Sequence, residues 1–368
     1  MNNQLFQPYA LSGLSLQNRF VMAPLTRSRT SQPGNIPNAL MAEYYHQRSS
    51  AGLIIAEATQ ISLQGQGYAN TPGIYTEKQI EGWKLTTQKV HQTSSKIFLQ
   101  LWHVGRISSS RVNGLQPIAP SPILNEKSQS YIFEKPLGNA VRIPTELPRE
   151  MTIQDIQQVI FDFKQAASNA IEAGFDGVEI HGAHGYLIDQ FLKSETNHRL
   201  DAYGGNSENR MRFALEITEA IVSAIGKEKT GIRLSPFTSA NDLKNNDIID
   251  TFFKLVEKLN QMGIAYLHLS EPEWEETEKI DTAFRIKLRN TFRNTIIVTG
   301  SKTPEIGKEI LKNEYADLIG FGRKFISNPD YPERVKHNNP LQEITDSKTI
   351  YGGGLEKGYT DYPKWSEQ

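Results

Sequence analysis

The sequence predicts a single (β/α)8 barrel, and three observations carry that reading. Eight β-type runs recur along the 368 residues, nearly every one followed by a helical pattern, and eight such units favour a closed barrel over a doubly wound sheet. The runs are rich in Val, Ile and Leu without clean alternation, as expected of strands covered outside by helices and inside by a packed interior. No Gly-X-Gly-X-X-Gly stretch occurs, which removes the usual case for a dinucleotide on a Rossmann sheet. One domain spanning 1–368 is therefore expected.

The elements follow in order. Residues 1–20, with SGLSLQN, suit a hairpin that seals the N-terminal mouth of the barrel. Strands are expected at Val21–Arg27, Leu53–Ile61 and Lys96–His103, then within FDGVEIHGAHG, TGIRLSP, AYLHLSE, TIIVTG and ADLIGFGR. Between the third and fourth, 108–149 holds six prolines and reads as an irregular excursion. A small hairpin is expected there around PLGNAVRIP, with Gly138–Asn139 as its turn. A loop of this length in a compact fold usually has a function, often as a lid. After it, Ile153, Ile156, Ile160, Phe163, Ala167 and Ile171 fall at helical spacing, with Thr152 and Asp155 as a capping pair and Gly174 as the stop. Asn206 and Ser207 can cap a helix whose stripe is Met211, Leu215, Ile217, Ile221 and Ile225. Thr303–Pro304 starts another, with proline where its missing N–H costs nothing. The glycine- and aromatic-rich tail IYGGGLEKGYTDYP suits a surface-hugging segment.

Composition narrows the function. A hydrophobic fraction of 38% supplies a core, and a formal net charge of -1 with no basic block argues against nucleic acid as a partner. With no cysteine, disulfides, Cys-ligated zinc, iron–sulfur clusters and cysteine nucleophiles are excluded. Neither a secretory signal nor a run of ~18 apolar residues is visible, so a soluble cytoplasmic protein without a membrane partner is expected.

In a barrel the chemistry lies at the C-terminal strand ends. Those ends carry Pro24, Leu25 and Thr26; Ala58 and Thr59; Gln100 and Trp102; His181 and His184; Arg233; Ser270; Gly300; and Gly320, Gly322 and Arg323. This set suits a flat heteroaromatic cofactor with carbonyl and N–H edges. A zinc site would take His181 and His184 with Glu179 or Glu195, but no carboxylate ends a neighbouring strand and Arg233 adds unwelcome positive charge; no metal is expected. Two histidines merely satisfying turn carbonyls is the plainer alternative. Arg233 lies between Ile232 and Leu234 in an apolar strand, where an unpaired charge would be costly. Glycines at 300 and 322 with Arg323 suit a phosphate after the seventh and eighth strands. FMN fits both the edge-reading groups and a single phosphate.

The blocks NRFVMAPLTRSR, AGLIIAEATQIS, LQLWHVGRIS, AGFDGVEIHGAHGYLIDQFL, DAYGGNSENR, GFGRKFISNPD and YGGGLEKGYTDYP, in this order and nearly end to end, resemble the Old Yellow Enzyme family of flavoproteins. Within it, they resemble most the bacterial N-ethylmaleimide reductase and pentaerythritol tetranitrate reductase group. The resemblance implies that Thr26 hydrogen-bonds the flavin C4 oxygen, and that Pro24, Leu25 and Ala58 line the ring. It gives Gln100 and Arg233 the pyrimidine edge, and Gly300, Gly322 and Arg323 the phosphate. His181 and His184 would grip the oxygen of an electron-withdrawing group, with Tyr186 as proton donor. Tyr68, Trp102, Trp274 and Tyr351 would wall the substrate pocket, and Asn241 stands where related enzymes often carry glutamine, which leaves substrate preference open.

The implied reaction is NADPH- or NADH-dependent reduction of an activated alkene (enone, enal or maleimide). Hydride would pass from flavin N5 to Cβ and a proton from Tyr186 to Cα. Reduction of nitroesters or nitroaromatics at the same site is an alternative, and a flavin-binding stress protein with incidental turnover is another. Close bacterial relatives suggest a monomer.

Overall fold

The computed structural model describes residues 3–134, 138, 140–237, 248–272, 280–352 and 354–365. Eight parallel strands close into a barrel in chain order: β1 Phe20–Met22, β2 Leu53–Gln60, β3 Lys96–Trp102, β4 Gly177–Gly182, β5 Thr230–Leu234, β6 Tyr266–Ser270, β7 Thr295–Thr299 and β8 Leu318–Phe321. Pairing of Ile319 with Phe20 and of Phe321 with Met22 joins the last strand to the first. Around it run α1 Ala39–Gln47, α2 Glu77–Val90, α3 Ile153–Glu172, α4 Ser207–Ile225, α5 Ile248–Met262, α6 Thr282–Thr291, α7 Pro304–Lys312 and α8 Tyr331–His337. No helix among the described residues is long and apolar enough to cross a membrane.

Most local signals act as expected. Thr152 and Asp155 form a reciprocal capping box on α3, Asn206 accepts from the Asn209 amide on α4, and Thr303 caps α7 with proline in its first turn. Two strand and helix expectations need correction. The first strand stops at Met22 rather than Arg27, because Pro24 has no N–H for a ladder and the chain leaves the sheet before it. On α3 the buried face is Ile156, Val159, Phe163, Ala166, Ala167 and Ala170, while Ile153 in the first turn is 43% exposed. Small alanines thus carry part of that face where larger apolar residues were expected.

The N-terminal hairpin, Tyr9–Leu11 against Leu14–Leu16, plugs the bottom of the barrel as expected. Its Leu11 and Leu16 join Val21, Leu53, Ile55, Phe98, Tyr266, Ile297 and Leu318 in a separate apolar cluster. Two glycines make that floor possible. A Cβ on Gly177 would fall 2.5 Å from the Phe98 ring, and one on Gly231 would fall 2.3 Å from the Tyr266 ring. The 108–149 excursion forms two small sheets, Ile118–Ala119 with Arg149–Glu150 and Gln129–Ile132 with Val141–Pro144. The second supplies the arms of the expected hairpin, whose turn residue Asn139 lies outside the described residues.

The tail is held more tightly than a surface-hugging segment. Arg27 donates to the carbonyls of Ile350, Thr349 and Gly358, Arg29 to those of Gly354, Leu355, Thr349 and Lys357, and Arg48 to that of Tyr359. Tyr359 is fully buried and stacks on Tyr44 at 4.2 Å.

The floor gives a stability prediction. Gly231→Ala should overpack the barrel and lower the unfolding free energy by about 1–3 kcal/mol, read from urea midpoints. Adding Tyr266→Leu should recover part of that loss; a G231A protein as stable as its parent would contradict the close contact.

Candidate active site

The upper halves of β3 to β6 carry side chains whose polarity runs against a packed interior. Gln100, Glu179, His181, Arg233, His268 and Ser270 are all at most 7% exposed. Glu179 is fully buried, with Oε1 accepting from Gln100 Nε2 at 2.7 Å and Oε2 2.8 Å from His268 Nδ1. With its amide nitrogen committed to Glu179, Gln100 keeps its carbonyl oxygen as an acceptor beside the cavity it lines. Burial pushes His268 below its ordinary range although Glu179 opposes the shift, and burial with Glu179 nearby pushes the Tyr266 phenol well up.

The HGAHGY stretch supplies the rim. His181 sits in β4, and the chain then turns sharply, with φ of +57° at His184 and +77° at Gly185. Left-handed backbone at a non-glycine residue costs of the order of 1–3 kcal/mol and is held here by surrounding bonds. The His184 amide donates to Ser235 Oγ and the Gly185 amide to Asp189 Oδ2, each at 2.8 Å. Asp189 is paired with the buried Lys193 at 3.1 Å. The turn swings His184 back toward His181, ring centroids 5.5 Å apart, and puts Tyr186 5.0 Å from the His181 ring. Loss of hydration, then the positive charge of Arg233, holds both imidazoles well below their ordinary range, so both are neutral at pH 7.

These groups open into one cavity of about 950 Å³, near the top of the ~300–1,000 Å³ range of ligand and cofactor sites. Of the expected ring-binding residues, Pro24, Leu25, Thr26, Ala58, Gln100 and Arg233 all line it, as do Gly322 and Arg323 of the expected phosphate site. Tyr68, Trp102 and Tyr351 line it too. Gly300 stands one residue beyond the lining Thr299. Its own backbone need is plain: φ is +114° and a Cβ would fall 2.4 Å from the Glu271 carbonyl oxygen. Asn241 and Trp274 lie outside the described residues.

Tyr68 stacks on Trp102 at 5.5 Å, and its hydroxyl is 3.2 Å from that of Tyr186. Burial, and then Tyr186, pushes the Tyr68 phenol well above its ordinary value. Ser128, Ser130, Tyr131 and Arg142 from the excursion also face the cavity. No sequence signal marks those four: they are ordinary polar residues in a proline-rich loop. Glu179 and His268 were likewise missed as a pair, although a charge inside an apolar strand, the sign that singled out Arg233, marks Glu179 equally.

The cavity suits a flavin. The carbonyl oxygen of Gln100 and the guanidinium of Arg233 offer an acceptor and a donor to one planar edge. Two further buried nitrogens, His181 Nδ1 and Trp102 Nε1, have no hydrogen-bond partner among the described residues. At the far end Gly322 leaves its backbone open to an anion, with only Leu25 at 3.5 Å from a hypothetical Cβ.

Comparison with known proteins agrees with this geometry. Residues 4–342 match the sequence profile of the NADH:flavin oxidoreductase / NADH oxidase family. The chain is 43% identical over 367 residues to 12-oxophytodienoate reductase 1 of Oryza sativa subsp. japonica, covering 98% of this chain and 92% of that protein. Morphinone reductase superposes with a TM-score of 0.94 at 44% identity, over 100% of this chain and 97% of the other. An Old Yellow Enzyme homologue from Zymomonas mobilis superposes with a TM-score of 0.91 at 38% identity, over 98% and 99% of the two chains. Morphinone reductase in complex with tetrahydroNAD superposes with a TM-score of 0.92 at 44% identity, over 99% and 98%.

The buried histidines predict a pH-dependent stability. His103, whose carbonyl accepts from the Leu187 amide, is 1% exposed and burial lowers it to about 3. The unfolded chain therefore takes up its proton near pH ~6.5 while the folded one does not. The stability this residue contributes is full above pH ~6.5 and is lost as pH falls toward the folded value, by about 1.4 kcal/mol per pH unit. Unfolding free energy should thus fall from pH 6.5 to 5, above the range where carboxylates titrate. His103→Asn, which keeps an acceptor for the Gly105 amide, should flatten that slope by about one proton. An unchanged slope in urea titrations at the two pH values would count against the burial argument.

Proposed function

The chain belongs to the NADH:flavin oxidoreductase / NADH oxidase family, and from that premise we propose that it reduces the activated C=C bond of enones, enals and maleimides. It is a flavin-dependent oxidoreductase of the Old Yellow Enzyme type with a nicotinamide co-substrate. One observation carries the substrate reading: two neutral imidazoles and a phenol converge on the same part of one cavity, His181 with His184 and Tyr186 at ring separations of 5.5 and 5.0 Å. The sequence blocks alone support the N-ethylmaleimide reductase and pentaerythritol tetranitrate reductase group within the family. NADH and NADPH are both carried forward, the first supported by the tetrahydroNAD complex of morphinone reductase.

FMN, when bound, supplies hydride chemistry between the nicotinamide and the substrate β-carbon. Gln100 and Arg233 would hold its pyrimidine edge, where the guanidinium would favour negative charge, and Thr26 would bond the C4 oxygen. Gly300, Gly322 and Arg323 would hold the phosphate. His181 and His184 each donate one N–H to the substrate oxygen and stabilise the enolate-like charge that grows there. Being neutral, they strengthen those bonds as charge builds without gripping an uncharged carbonyl as cations would. Tyr186 keeps its proton at pH 7 and delivers it to Cα. Trp102 and Tyr68, stacked together, shield that corner from water. A nitro group could use the same pair of donors, but its reduction needs no proton at carbon, so a phenol beside the clamp favours the alkene.

Two experiments follow. Tyr186→Phe should slow alkene reduction by about a hundredfold or more while leaving anaerobic flavin reduction by NADPH or NADH nearly intact, as seen by stopped flow. Equal slowing of both half-reactions would sink the donor role. Separately, Arg323→Ala should weaken FMN binding by roughly ten- to a hundredfold in apoprotein titrations, yet keep most turnover at saturating FMN. Arg233→Ala should stay impaired even when saturated; full activity there would remove it from the ring site.

A further inference from the structure

Ser270 ends β6 and is 3% exposed. Its Oγ has two partners, Arg233 Nη2 at 3.1 Å and His184 Nε2 at 2.8 Å, and no other among the described residues. A guanidinium can only donate, so the first bond occupies a lone pair of the hydroxyl. The second could run either way. If His184 Nε2 carried the proton, Ser270 would accept twice and its own hydrogen would be stranded in a buried site, which is costly. Between these three residues, the order Arg233 to Ser270 to His184 is the one that gives the hydroxyl hydrogen an acceptor.

We propose that Ser270 is a positioning residue whose hydroxyl accepts from Arg233 and donates to His184 Nε2, fixing His184 as the neutral Nδ1–H tautomer. In that state the ring has a single N–H, on Nδ1, to offer the oxygen of the substrate. One oxygen then links the arginine at the flavin edge to the histidine of the substrate clamp. Enclosure beside Arg233 already keeps His184 uncharged, so the choice left open is between tautomers, and Ser270 makes it. The backbone of the turn does not depend on this bond, because the His184 amide is held separately by Ser235 Oγ. Removing the Ser270 hydroxyl should therefore alter the ring's proton rather than its place. The catalytic consequence rests on the alkene-reductase reading; the tautomer itself does not.

The test uses FMN-loaded enzyme with 15N-labelled histidine, the His184 signals being those lost in H184Q. In the parent, long-range 15N–1H correlation should show a protonated Nδ1 and a bare Nε2. In S270A a population with Nε2–H should appear, and in S270T, which retains the hydroxyl, the parent pattern should return. For 2-cyclohexen-1-one, S270A should lose about tenfold in kcat/KM, the equivalent of one neutral hydrogen bond, and S270T should recover most of it. A protonated Nε2 in the parent, or a tautomer indifferent to S270A, overturns the proposal. Equal losses in S270A and S270T overturn it too, since they would show a side chain that only fills space. The expected spectra with unaltered enone kinetics would uphold the tautomer and instead remove His184 from the substrate clamp.

Discussion

The carboxylate of Glu179 is the interaction on which the mouth of this barrel depends. It lies where the apolar floor ends, and it orients the Gln100 amide on one side and His268 on the other. A buried carboxylate is tolerable only with such partners. The reason they are at hand is the period of a strand. Gly177, Glu179 and His181 alternate on β4, Phe98, Gln100 and Trp102 on β3, and Tyr266, His268 and Ser270 on β6. Each of these strands passes from a floor residue to a polar middle and then to the rim. Gly177 admits Phe98, and Gly231 admits Tyr266 two residues before Arg233. The floor closes the barrel, and the layer above it is thereby kept away from water on one side.

Much of this was legible in the sequence. Parallel strands buried on both faces read as continuous apolar runs, which is why seven of the eight strand positions agree closely with the structure. The exception, the run after Val21, has strand-like residues on both sides of Pro24, and residue preference alone cannot say that the ladder ends at Met22. Caps at Thr152, Asn206 and Thr303 were readable because each involves groups three or four residues apart. Glu179–His268 and Tyr68–Tyr186 join residues 89 and 118 apart in the chain, and no local pattern encodes such pairs. The alignment of rim residues in one cavity followed from the barrel rule together with the family resemblance. Which way the HGAHGY turn swings His184 did not, since histidine only infrequently takes positive φ.

The tail shows why a composition can mislead. IYGGGLEKGYTDYP looks like a segment lying on the surface, yet its carbonyls are the acceptors for Arg27, Arg29 and Arg48, and its Tyr359 stacks beneath them. Glycines suit this job because they expose the backbone oxygens that a guanidinium fork can reach. Arg27 directly follows Thr26, so the anchoring of the tail and the placing of a cavity residue are adjacent on one stretch of chain. Lys348, Ile350 and Tyr351, all on that strapped segment, complete the cavity wall.

Electrostatics then explains why the rim needs a strained turn. Arg233 is buried on β5, and its charge makes a second cation beside it expensive. Both imidazoles respond by staying neutral, so each has a single proton to offer and its direction matters. A neutral donor placed by the ordinary course of a strand would follow the sheet's alternation and would not face its neighbour. The left-handed backbone at His184 brings the second ring across to the first, nearly perpendicular at 87°. The two rings can then address one oxygen from different sides, a geometry that two residues on a regular strand cannot supply. The cost in backbone strain is offset by the Ser235 and Asp189 bonds that hold the turn. On the proposed reading, the clamp is a consequence of keeping a cation in the barrel while denying protons to the groups beside it.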